Sequence, residues 1–180
     1  MKVKKLAVVL IVILIAFYGG RYVLKEHIFP FKHKETIVKY AEENNLDPYF
    51  VLSVIMAESG FRTDATSHKN AMGLMQITEE TGKWIAEQMG LSDYSSEKLY
   101  DEEYNIKMGC WYLNNLREEF GDVDLFVAAY NAGRGNVREW LNNKEYSKDG
   151  KTLSYIPYKE TKQYVDKVNT YYKIYKKIYE

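Results

Sequence analysis

The chain has 180 residues, 46% of them hydrophobic, and its 25 Lys+Arg balance 25 Asp+Glu to a formal net charge of zero. That length holds one core-bearing domain plus a short extra segment. The charge balance, with no basic stripe interleaved with base-stacking aromatics, excludes the usual nucleic-acid binders, and the single cysteine, Cys110, excludes an intramolecular disulfide.

Lys2, Lys4 and Lys5 precede an uncharged run from Leu6 to Gly20. A basic start before an apolar stretch is the layout of an export signal. The run is short for a membrane span, although Tyr22, Val23 and Leu24 beyond Arg21 could lengthen it. No A-x-A cleavage pattern follows, which favours an uncleaved anchor over a removed signal peptide, with the basic end in the cytoplasm. Either case puts residues 31–180 across the membrane, on the cell-wall side or secreted. The expected division is 1–30 as signal-anchor helix and connector, and 31–180 as the functional domain.

Glu26 to His33 reads as a connector, and Glu35 to Asn44 as an amphipathic helix carrying Ile37, Val38, Tyr40 and Ala41. Asp47-Pro48 is a helix start, an acidic N-cap followed by proline at the first helical position. Val51, Val54, Ile55 and Glu58 then recur at helical spacing, and Gly60 offers the stop. Phe61 to Lys69 is loop. Thr78 caps a helix running to Met89, and Leu91 to Leu99 is polar loop. Helices are expected over Asp101–Phe120, Asp122–Tyr130, Asn136–Asn142 and Tyr158–Tyr179. No strand pair stands above chance, and no repeat or low-complexity tract is present. The expected fold class is all-α. Cys110 reads as a small buried apolar residue. His27, His33 and His68 fall at no metal-ligand spacing, so neither metal nor cofactor is expected.

Glu58 sits in the last turn of a mostly hydrophobic helix. Desolvation, apolar neighbours and the negative end of the helix dipole all act there to raise a carboxyl pKa. A glutamate held protonated near neutral pH is what a general acid needs. Three further segments stand out: Gly73-Leu74-Met75-Gln76, Ala129-Tyr130-Asn131-Ala132-Gly133, and Ile156 to Val165 around Tyr164. Each alone has an ordinary structural explanation. The first is also a loop entering a helix with Gly73 present for its φ angle, the second a helix end capped by Gly133, and Tyr164 a core residue.

In their order, and with fifteen residues from Glu58 to Gly73, these segments resemble the soluble-type lytic transglycosylases. That family cleaves bacterial peptidoglycan on a lysozyme-like helical fold, and the resemblance covers roughly residues 33–180. It implies that Glu58 is the single catalytic acid. It implies substrate-binding roles for Ser67, Gly73, Met75, Gln76, Tyr130, Asn131 and Tyr164. Glycine would let the backbone approach the glycan, Gln76 would offer amide hydrogen bonds, and the Tyr164 hydroxyl would lie close to the acid. One departure is visible: Ile77-Thr78-Glu79 stands where the family often continues Ile-Met-Pro, which alters a cleft wall but not the acid. The implied partners are glycan strands, and the membrane through the N-terminal segment, with the protein a monomer. A goose-type lysozyme-like hydrolase, a non-catalytic wall-binding or assembly protein, and a tethered interaction module with no glycan role are the competing expectations.

Overall fold

Helix α3, Pro48–Glu58, is the element around which the others pack, and its sequence says why. The Asp47 carboxylate accepts a hydrogen bond from the Tyr49 amide at 2.8 Å, Pro48 occupies the first position, and Phe50 to Ile55 are all buried. A helix apolar on every side has to be surrounded. Helices α2 (Lys34–Glu43) and α8 (Lys159–Tyr179) pack directly on it, Phe126 of α6 (Val123–Ala132) meets its Phe50, and α5 (Glu102–Phe120) packs on α2 and α6. Helix α7 (Arg134–Asn142) packs on α6, and α4 (Glu79–Met89) on α5. This computed structural model describes residues 2–180. It is predominantly helical, as the sequence pattern predicts, and Cys110 lies fully inside the core.

The caps written in the sequence are made. The Thr78 hydroxyl accepts from Thr81 N, Asp101 from Tyr104 N and Asp122 from Leu125 N. Each satisfies an amide that a helix start leaves without an intrahelical partner.

Three local expectations need correction. A two-residue antiparallel ladder is present where no strand pair was expected: β1 (Ala71–Met72) and β2 (Ile77–Thr78) pair Ala71 with Thr78 and Met72 with Ile77. Strands this short leave no alternating pattern to detect. Within the stretch Leu91 to Leu99 expected as polar loop, a 3-10 turn over Ser96–Tyr100 begins and buries Leu99 completely. Helix α7 begins at Arg134, two residues earlier than expected, because Gly133 at φ +90 breaks α6 and starts α7 at once.

The N-terminal helix α1, Lys2–Val23, stands away from this bundle, with Val9 to Val23 exposing their apolar side chains. It continues into a π-helical turn, Leu24–Ile28, which overlaps the start of the connector expected over Glu26 to His33. Its base is fastened to the end of α8. The Tyr179 hydroxyl donates to Lys25 O and Phe29 O, Tyr175 to Pro30 O, and Arg21 to Ile178 O. Among the described residues no helix is long and apolar enough to cross a membrane. The anchor expected over residues 1–30 is thus not confirmed as a membrane span. The uncharged run ends at Gly20, and Arg21 interrupts its extension.

The turn between β1 and β2 has no room to change. Gly73 has φ +75, and a Cβ there would lie 2.1 Å from Leu99 O and 2.5 Å from the Asn105 side-chain nitrogen. Gly73→Ala is therefore expected to destabilise the fold by about 3 kcal/mol or more, read as a lowered thermal midpoint. An alanine variant as stable as wild type would mean that this turn relaxes freely.

Candidate active site

Glu58 ends α3 at the floor of a cleft of about 380 Å³. The cleft walls come from the loop around Ser67, the β1–β2 turn, the end of α6 and the start of α8. The carboxyl keeps part of its surface open to the cleft while protein surrounds the rest. Burial is the main reason its pKa rises from 4.5 to about 7. Two groups on α8 oppose the rise. The Tyr164 hydroxyl donates to Glu58 Oε1 at 2.6 Å, and Lys167, whose ammonium donates to Ala57 O at 2.8 Å, adds positive charge nearby. Both favour the carboxylate, and neither cancels desolvation. A carboxyl poised at about 7 can release a proton and take one back at neutral pH.

The other sequence-predicted residues fall into two groups. Ser67, Gln76, Tyr130 and Asn131 line the cleft with Glu58. The Ser67 hydroxyl oxygen accepts from the Lys69 and Ala71 amides, which leaves its own proton for a ligand. Gln76, at φ +49, donates its side-chain amide to Ala65 O and Gly73 O, so what it can offer the cleft is its side-chain carbonyl. The Tyr130 hydroxyl donates to Met75 O at 2.8 Å, which fixes its ring beside Tyr112. Burial and the nearby Glu58 charge hold the Tyr130 and Tyr164 hydroxyls well above the ordinary tyrosine pKa, so both stay neutral donors.

Gly73, Met75 and Tyr164 do not line that cleft. The close approach that requires glycine at 73 is to Leu99 and Asn105, not to open space for a glycan. Met75 is fully buried, with its sulfur packed against Gly109. Tyr164 lies behind Glu58 and reaches the cleft through it. These three shape the site from within.

Several participants were missed from sequence. Asn105, fully buried, accepts from Met75 N at 2.8 Å and donates to Met72 O and Leu99 O. It holds the β1–β2 turn from the α5 side. Its signal was a polar residue on the buried side of α5, in step with Met108, Gly109 and Tyr112. Thr161, also buried, donates to Asn131 Oδ1 at 2.9 Å. Glu160, exposed at the start of α8, is the second carboxylate lining the cleft. Asp64, Glu79 and Glu80 lie near Glu58 in sequence but are not among the lining residues. No cluster able to hold a metal ion occurs among the described residues.

A desolvated glutamate facing a cleft lined by amides, hydroxyls and aromatic rings on a helical scaffold has the features of a general-acid site. Comparison with known proteins narrows the class. The transglycosylase SLT domain model matches residues 35–153, and the chain belongs to that family. It is 33% identical over 149 residues to the soluble lytic murein transglycosylase of Escherichia coli K12, covering 81% of this chain and 23% of that protein. It is also 33% identical over 175 residues to the membrane-bound lytic murein transglycosylase F of Desulfosudis oleivorans, covering 81% of this chain and 36% of that protein. Among solved structures, an inactive glutamate-to-glutamine mutant of the lytic transglycosylase Slt from Pseudomonas aeruginosa superposes with a TM-score of 0.72 at 34% identity. That superposition covers 83% of this chain and 24% of that one. The chain thus spans about a quarter of the length of the first of these relatives.

The raised pKa has a stability consequence of definite sign. The folded protein binds the Glu58 proton more tightly than the unfolded chain, so the benefit is full below about 4.5 and is lost as pH rises through about 7. Glu58→Gln removes the charge and should therefore melt above wild type at pH 8, by ~1–3 kcal/mol. The two proteins should converge at pH 4. Equal melting at both pH values would show that water solvates the carboxylate well.

Proposed function

We propose that this domain is a peptidoglycan lytic transglycosylase, cleaving the β-1,4 bond between N-acetylmuramic acid and N-acetylglucosamine without consuming water. The observation that carries the proposal is the Glu58 carboxyl on the cleft floor, raised to about pKa 7 by burial and hydrogen-bonded by Tyr164. Glu58 protonates the glycosidic oxygen, and the substrate's own 2-acetamido group stabilises the oxocarbenium-like charge. The resulting carboxylate then takes the proton of the muramoyl C6 hydroxyl, whose oxygen closes onto C1. The product is a 1,6-anhydromuramic end. Support comes from family membership, from the E. coli relative's name, and from a glutamate-to-glutamine mutant being the inactive form of the Pseudomonas enzyme. Glu160, the other carboxylate lining the cleft, is exposed to solvent, unlike the desolvated Glu58, which suits a single-acid route.

In the same proposal residues 31–180 act in the cell envelope on the wall side, as a monomer. Residues 1–30 then serve as an export or membrane-associating segment. The uncharged run Leu6–Gly20, the exposed apolar side chains of α1 and the membrane-bound relative support that placement.

Muropeptides released from purified sacculi by residues 31–180 are expected to be one water lighter than ordinary reducing-end fragments and refractory to borohydride. Mass spectrometry reads both properties. Reducible fragments of full mass would replace the transglycosylase by a lysozyme-like hydrolase, and binding without release would leave a wall-binding protein. Glu58→Gln should retain the fold and lose roughly 10²–10⁴-fold in rate. Lys167→Met removes a charge that favours the carboxylate, so the alkaline limb of the pH–rate profile should move up by about half a unit or less, as befits an exposed, screened charge.

A further inference from the structure

The first turn of α8 contains a hydrogen bond that the proposed reaction does not by itself require. Thr161 is 2% exposed, and its hydroxyl donates to Asn131 Oδ1 at 2.9 Å. Asn131 lines the catalytic cleft and also a second cavity of about 480 Å³ that adjoins it past Lys69 and Glu160. A primary amide carries a carbonyl acceptor at one end and two N–H donors at the other, and the two ends are nearly the same shape. In this structure the Thr161 hydroxyl binds the carbonyl end, which turns the nitrogen end away from it.

We propose that Thr161 is a positioning residue that locks the Asn131 amide with its nitrogen toward the cleft, so that this point of the site selects a hydrogen-bond acceptor oxygen on the glycan. This rests on the transglycosylase reading of the cleft. A threonine hydroxyl has one proton, and here it is spent on Oδ1. Neither Nδ2 proton of Asn131 has a protein acceptor among the described residues, and the residue lines the cleft. The geometry extends to the acid. Thr161 and Tyr164 are three residues apart on α8 and share a face, so one helix surface orients both Asn131 and Glu58. A shift of α8 moves the amide and the acid together.

Kinetics on solubilised peptidoglycan test the proposal with Thr161→Val, which keeps the shape and removes the donor, and Thr161→Ser, which keeps the donor. Thr161→Val should lose roughly tenfold in kcat/KM, and Thr161→Ser should stay within about twofold of wild type. The alkaline limb should not move in either, because Glu58 and Tyr164 are untouched. Adding Thr161→Val to Asn131→Ala should cost nothing further, since the hydroxyl acts only through the amide. A Thr161→Val enzyme at wild-type rate, or one that loses the same factor in the Asn131→Ala background, overturns the assignment. If wild type itself does not cleave peptidoglycan, the parent reading fails instead. The orientation is then read by NMR from the Asn131 side-chain amide protons. Two rapidly exchanging protons support it, and one protected proton overturns it.

Discussion

The site depends on a hydrogen bond that joins residues 106 positions apart, from the Tyr164 hydroxyl on the last helix to the Glu58 carboxyl at the end of the central one. It lives in tension with its surroundings. Helix α3 is buried from Phe50 to Ile55 because its sequence is apolar, and burial at its end makes an ionised Glu58 costly. The tyrosine supplies one strong partner to whichever form is present, accepting from the acid or donating to the carboxylate. The carboxyl is thus ordered without being permanently ionised. A fully solvated glutamate would be charged at neutral pH, and an unpartnered buried one would stay protonated and wander among rotamers.

The wall opposite the acid is built on the same logic of satisfied polar groups. The β1–β2 turn buries Met75 and brings its backbone against α5, where amides and carbonyls would be stranded without water. Asn105 meets three of them with one side chain, and Tyr130 meets a fourth, the Met75 carbonyl. The absence of a side chain at Gly73 is what lets Asn105 and the Leu99 carbonyl come so close. Gln76 closes the turn by donating to Ala65 O and Gly73 O. Residues that look in sequence like a glycan-gripping motif therefore work mainly on the protein itself, and hold the few outward-facing groups still.

Most of the helical frame was legible because its signals are local: the caps read at Asp47-Pro48 and Thr78 are made, and Asp101 and Asp122, expected as the first residues of their helices, turn out to cap them. The position of Glu58 on an apolar helix face was legible for the same reason. What escaped was set by tertiary contact. Two-residue strands carry no period, Leu99 became core because α5 packs over a polar-looking segment, and Asn105 and Thr161 owe their importance to partners far away in the chain. The division of the motif residues into those that face the cleft and those that support it was illegible too. A buried Met75 and a Tyr164 behind the acid follow from side-chain direction, which spacing alone does not give.

Helix α8 draws these threads together, although it lies beyond the stretch that the family model matches. Its first turn hydrogen-bonds Asn131, its second holds Glu58, and Lys167 then ties α8 to the Ala57 carbonyl near the end of α3. Val165 and Val168 seal it against the core, while Tyr175 and Tyr179 close on the connector at the base of α1. One continuous helix therefore runs from the cleft to the base of the exposed apolar helix. The partner of the Glu58 carboxyl and the attachment of the N-terminal helix are consequently supplied by the two ends of the same element, Tyr164 near its start and Tyr175 and Tyr179 at its end.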